Sequence, residues 1–241
     1  MMGREEIILK NFEEQLNEVS RKVKEFVESE QMKQLQHNCE IVSNLQKLGK
    51  EYNWVVVTTD VDTNIANEKE IEINNYFLSL IDDNKNLYRS IKDEIFECSY
   101  MTEKRKLVEQ IFDAIEHENY WIACIALSTI LEFLLAKESD YNSIKISVLI
   151  NNFMDNVGDI DINEYEVGFL FSLDGFLDNY RTPTNGFQKE KELKYVNRHW
   201  IAHGRMYREL TKVDTYQILF AIYALIKIID MERRVKLQED N

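Results

Sequence analysis

Two histidines and an arginine stand together in Asn197-Arg198-His199-Trp200-Ile201-Ala202-His203-Gly204, the densest cluster of chemistry-bearing side chains in the chain. Imidazole gives and takes protons near neutral pH, and guanidinium offers parallel hydrogen bonds to a planar oxyanion or a phosphate. Such a set suits acid and base work around a negatively charged centre. The other two histidines offer less: His37 lies in a polar stretch, and His117 sits between Glu116 and Glu118 at a predicted helix break, where it reads as a surface residue. The cluster is embedded in local positive charge. From Arg181 to Lys212 there are eight basic and three acidic residues in a chain whose net charge is −14. A basic segment in an acidic body can hold one or two phosphates while disfavouring broad, unselective binding, although on charge alone a solvated helix face is the simpler reading. His199 and His203 also have the i, i+4 spacing of metal-binding helices. No Glu follows His199 and no third ligand is evident, so neither a metal nor a cofactor is expected.

The elements that must position these residues read as helices. With 44% hydrophobic residues, 7 Gly and 1 Pro, the chain has material for a core and little turn chemistry for a many-stranded sheet, so an all-α fold is predicted. Apolar residues at steps of three and four (Ile8, Phe12, Leu16, Val19, Val23, Phe26) predict a helix over residues 5–29. The pattern continues through Leu48 as a helical pair or one long broken helix. Val55–Thr59 is a short strand or a loop, and 68–97 returns to helical spacing. Leu107, Ile111 and Ile115 mark a helix that breaks at Glu118-Asn119. Trp121–Ala136 follows, with 13 of 16 residues apolar, and is predicted to be buried on nearly all sides. Ser128, Thr129 and Glu132 form its only polar stripe, and a carboxylate there needs a cationic partner or a path to solvent. Further helices are predicted over 142–156 and 165–180, then a loop at 181–186, a helix from about Gln188 to His203 stopping at Gly204, and a last helix over Val213–Val235. Cys39, Cys98 and Cys124 show no paired spacing. The acidic N-terminus is unlike an export signal, and the apolar run Ile218–Ile226 is too short to span a bilayer, so a cytoplasmic protein without a membrane segment is expected.

Arg198 followed by His203, with four residues between them, resembles the signature of the HEPN superfamily. The longer string NRHWIAHG is similar to a form found in uncharacterised bacterial relatives, and EHENYWIACIALSTILEFLLA resembles the family's second helix. The resemblance covers about residues 101–235. It implies a HEPN-like helical bundle over 101–241 and leaves 1–100 as an N-terminal helical extension of unassigned role. One departure is that the residue after the arginine is most often Asn in the family and is His199 here.

The resemblance implies a metal-independent endoribonuclease, and the residue types fit that chemistry. A ribose 2′-hydroxyl can attack the adjacent phosphate if a base takes its proton, an acid protonates the leaving oxygen and a cation stabilises the phosphorane. In this reading His203 transfers the proton, Arg198 binds the phosphate, Glu132 holds Arg198, and His199 is a second proton carrier or an orienting residue. DNA, lacking the hydroxyl, is excluded as a substrate. On a continuous helix Arg198 and His203 point about 140° apart, so a homodimer that brings two motifs together is expected. Phage defence or a toxin role with an antitoxin is the implied setting. The alternatives are an ordinary interior Arg198–Glu132 ion pair with capping histidines, or a non-catalytic module for binding or dimerisation, often beside a nucleotidyltransferase partner.

Overall fold

The structure, a computed structural model, describes residues 18–22, 24, 27, 29–139, 145–157, 164–184 and 186–239. The chain divides into two compact units, Met1–Ser43 and Asn44–Asn241. All described secondary structure is helical, with no strand among the described residues. Of the residues that predict the first helix, Val19 is described, helical and exposed; Ile8, Phe12, Leu16, Val23 and Phe26 lie outside the described residues. The chain bends at Ser29, whose hydroxyl accepts the Met32 amide at 3.2 Å and so caps the next helix, α1 (Glu30–Tyr52).

The larger unit contains the end of α1 followed by α2 (Glu70–Asp82), α3 (Lys85–Glu97), α4 (Arg105–Glu116), α5 (Tyr120–Glu138), α6 (Ile146–Val157), α7 (Glu164–Arg181), the short α8 (Arg198–Ala202) and α9 (Lys212–Glu239). Residues 44–100 therefore pack in the same unit as 101–241. Its axis is α9, which lies along α5 and α7 and also meets α2 and α3. From Asp214 to Ile226 every residue of α9 is buried, because the sequence offers almost nothing polar on any side. Its few polar groups are matched: Gln217 donates to the Tyr52 carbonyl at 2.9 Å, and the Thr215 hydroxyl donates to the Thr211 carbonyl at 3.0 Å.

α7 and the end of α1 cross at backbone contact. A Cβ on Gly49 would stand 2.1 Å from the Ser172 carbonyl oxygen, and one on Gly175 2.7 Å from the Lys50 amide nitrogen. Between α1 and α2, Trp54 to Val57 is a buried extended segment, a loop and not a strand. With no neighbouring strand to pair it, its backbone turns to a side chain: the Val56 amide donates to the Ser172 hydroxyl at 3.0 Å.

Two sequence expectations are corrected. The helix around Trp121–Ala136 is not enclosed: Trp121, Ile122 and Ile125 are 41%, 62% and 48% exposed, while the opposite face (Ala123, Cys124, Leu127, Leu131, Leu134) is buried. An all-apolar sequence has no periodicity from which to read which face meets a neighbour. By length and composition α5 could cross a membrane, but that inner face packs against α4 and α9 as a core helix. The second correction concerns 188–203. It is not one helix but a single turn at Lys189–Lys191, an extended stretch, and the five residues of α8. Tertiary partners capture this stretch: the Glu192 carboxylate accepts the amides of Tyr207 (2.9 Å) and Arg208 (3.1 Å), and Asn197 is drawn into the interior.

Candidate functional site

Asn197 is the residue on which the site is built. Fully buried and extended (φ −138°, ψ 136°), it lends its side chain to two helix ends at once. Its Oδ1 accepts the His199 amide at 3.0 Å and caps the start of α8. Its Nδ2 points at the end of α7, with the carbonyls of Asn179, Tyr180 and Thr182 at 2.9, 3.3 and 3.0 Å. A helix end leaves carbonyls without intrahelical donors, and here one amide answers them. α8 stops as soon as it has begun because Gly204 takes φ +60°. The Arg205 amide then bonds back to the Trp200 carbonyl (2.9 Å) and the Gly204 amide to the Ile201 carbonyl (3.0 Å), a left-handed helix ending. Trp200 and Ile201 anchor the turn in the core.

Arg198 thus opens α8 and His203 closes it as the C-terminal cap. The Arg198 Nε donates to Glu132 Oε1 of α5 at 3.1 Å, so these two residues are brought together across 66 positions of sequence. Only Nε is engaged. The two terminal nitrogens have no acceptor among the described residues, and the side chain is 24% exposed. The same Glu132 oxygen accepts from the Tyr180 hydroxyl at 3.4 Å, which fixes the carboxylate from behind. Burial and the facing Glu132 push the Tyr180 phenol far above its ordinary range, so it stays a neutral donor.

His199 and His203 share a face, as four-residue spacing requires, with ring centroids 6.4 Å apart and planes 21° apart. His203 is exposed and packs 5.2 Å from Phe187; His199 is half-buried. Neither ring nitrogen pair has a hydrogen-bond partner among the described residues. Burial, then the charge of Arg198 and the neighbouring His203, hold the His199 imidazole below its usual proton affinity, with Glu132 pulling weakly the other way. His199 is therefore the neutral, proton-accepting form at pH 7.

Among the described residues no three His, Cys, Asp or Glu side chains are grouped to hold a metal ion, at the histidine pair or elsewhere. His117 is exposed and bonds the Asp113 carbonyl at 2.9 Å, as a residue at a helix end would. Comparison with family models, with curated proteins and with solved structures finds no match. The site therefore rests on its own geometry.

Sequence reasoning passed over several residues that hold the site. Asn197 had a local signal, since Asn is favoured at helix starts, but the long helix predicted through it masked that. Thr211 and Asp214 also carry one: at the start of α9 Asp214 accepts the Thr211 amide at 2.8 Å and the Thr211 hydroxyl at 2.9 Å, and it clamps Arg208 through both oxygens at 2.7 and 2.9 Å. This pair, with Glu192, fixes the loop that leaves His203. Tyr180, Phe187 and Glu192 had no signal in one dimension.

Proposed function

We propose that the chain is a HEPN-type, metal-independent endoribonuclease acting as a homodimer in the cytoplasm, with a role in bacterial phage defence or as the toxin of a toxin-antitoxin pair. The observation that carries the reading is Arg198. An arginine used only as a structural ion pair spends its fork on the carboxylate, whereas Arg198 gives Glu132 its Nε and keeps both terminal nitrogens for another oxyanion. Two unpaired imidazoles stand on the same short turn.

In the proposed reaction a neutral imidazole, His199 or its symmetry mate, takes the proton of the ribose 2′-hydroxyl. The 2′-oxygen bonds to phosphorus while the bond to the 5′-oxygen breaks, and His203 returns a proton to that leaving oxygen. The products are a 2′,3′-cyclic phosphate and a 5′-hydroxyl. Arg198 bridges the non-bridging oxygens as charge builds on them. Arg198 is held by Glu132 while His203 is exposed at the other end of the turn, and a two-fold pair would bring the arginine of one copy and the histidine of the other around one phosphate. The apolar strip of Trp121, Ile122 and Ile125 lies on the helix that carries Glu132, with Ile125 seven residues, about two turns, before that carboxylate, and a second copy would cover it.

The test is cleavage of RNA in EDTA by wild type, Arg198→Ala and His203→Ala, with the ends identified. Wild type should leave cyclic phosphates and both variants should lose at least a hundredfold in rate. Cleavage by His203→Ala at the wild-type rate refutes the assignment. The second reading, a non-catalytic binding or dimerisation module, is favoured by the intact Arg198–Glu132 pair and predicts phosphate or partner binding with no cleavage by any form.

A further inference from the structure

The loop that leaves α8 carries more aromatic and cationic surface than closing a helix requires. Phe187 stands edge-on to Trp200 (centroids 5.1 Å, planes 90° apart) and 5.2 Å from His203, and the Arg205 guanidinium lies 5.7 Å over its ring. Tyr207 continues the surface, 6.2 Å from Trp200. It is held at both ends: its amide donates to Glu192 at 2.9 Å, and its hydroxyl donates to the Phe187 carbonyl at 2.9 Å. Yet 53% of Tyr207 is exposed. A tyrosine fixed at two points but left uncovered gains little for the fold and presents an immobilised ring to solvent. Arg205 is exposed and has no carboxylate partner among the described residues. The nearby Glu192 is occupied by two backbone amides, which offset its charge.

Resting on the ribonuclease reading, we propose that Tyr207, Phe187 and Arg205 form a platform for an unpaired base next to the scissile phosphate, so that the substrate is single-stranded RNA. An aromatic face and a guanidinium plane bind any base that has left its stack, and they cost little entropy when already fixed in place. An A-form duplex keeps its bases stacked inside and its major groove too narrow for these side chains, so it offers this surface no unstacked base, only phosphates and the edges and 2′-hydroxyls of its shallow minor groove. The Arg198 terminal nitrogens take the phosphate, the histidines take the protons, and the platform decides which strand can reach them.

The experiment measures binding apart from cleavage. The probe is a fluorescein-labelled 2′-fluoro oligouridine, which lacks the attacking hydroxyl, compared with the same strand annealed to its complement. Fluorescence anisotropy should show single-strand binding weakened about tenfold in Tyr207→Ala and in Arg205→Ala, and weakened by less in Tyr207→Phe, which keeps the ring but loses its hydroxyl anchor. Melting curves confirm that each variant folds. Single-strand affinity unchanged in both alanine variants, or duplex bound as tightly as single strand, overturns the platform. The two proposals fail separately. Weakened binding with no cleavage by wild type leaves the platform standing without a nuclease, and wild-type cleavage with unchanged Tyr207→Ala binding leaves a nuclease without the platform.

Discussion

Replacing Asn197 tests whether one buried amide places the candidate site. In Asn197→Ala the α8 amide of His199 loses its cap, which costs about 1 kcal/mol. The two protons of Nδ2 can satisfy two of the three carbonyls within reach, and each carbonyl left dry in the interior costs about 1–2 kcal/mol. The sum is about 3–5 kcal/mol, a large share of the roughly 5–15 kcal/mol that holds a domain folded. With a urea dependence of about 2 kcal/mol per molar, the unfolding midpoint should fall by about 2 M, read by circular dichroism. Asn197→Asp separates the two halves of the residue. It keeps the acceptor that caps α8 and turns the donor into a second carboxylate oxygen facing the three carbonyls, so at pH 7 it should destabilise at least as much as Ala. Part of the loss should return at low pH, where the protonated carboxyl regains one donor. An Asn197→Asp protein as stable as wild type would mean that the α7 carbonyls do not depend on this amide, and the account of how α8 is held would be wrong.

Other outcomes follow from the same geometry. Gly49→Ala should cost about 3 kcal/mol or more, since its Cβ would meet backbone and not a side chain that can move; a midpoint within error of wild type would contradict the close crossing of α1 and α7. Gly204→Ala, with φ +60° but open space around it, should cost only about 1 kcal/mol, and Gly204→Asn less, checked by thermal melts. Glu132→Gln keeps an acceptor for Tyr180 but removes the charge facing Arg198; stability should fall by about 1 kcal/mol for this partly buried pair, while the proposed RNA cleavage should fall more steeply as the guanidinium loses its anchor. Folding lowers the proton affinity of His199, so below its unfolded value of 6.5 the unfolded chain takes up the proton first. The His199 contribution to stability is therefore whole above pH 6.5 and declines as pH falls through and below it. His199→Gln should lose less stability than wild type between pH 7.5 and 5.5, and equal losses would contradict the direction of the shift.

The helical class, the break at Glu118, the end at Gly204 and the last helix are all legible in the order of residues. They follow from local physics: apolar spacing, a scarcity of Gly and Pro, and a glycine that alone tolerates a left-handed turn. The cluster of Arg198, His199 and His203 is also legible in the order of residues, whereas the pairing of Arg198 with Glu132 is what the resemblance implies for a carboxylate that, on an apolar helix, needs a cation or a path to solvent. That 188–197 holds a single turn at Lys189–Lys191 and no longer helix depends instead on long-range contacts. The amides of Tyr207 and Arg208 reach for Glu192, and the carbonyls ending α7 reach for Asn197; neither demand exists until distant segments meet. Packing likewise chose the buried face of α5, since a helix apolar all round carries no periodicity of its own and takes its orientation from α4 and α9. The free edge of Arg198 has the same origin: a side chain's spare donors become visible only once its partner has approached from one direction and left the other open.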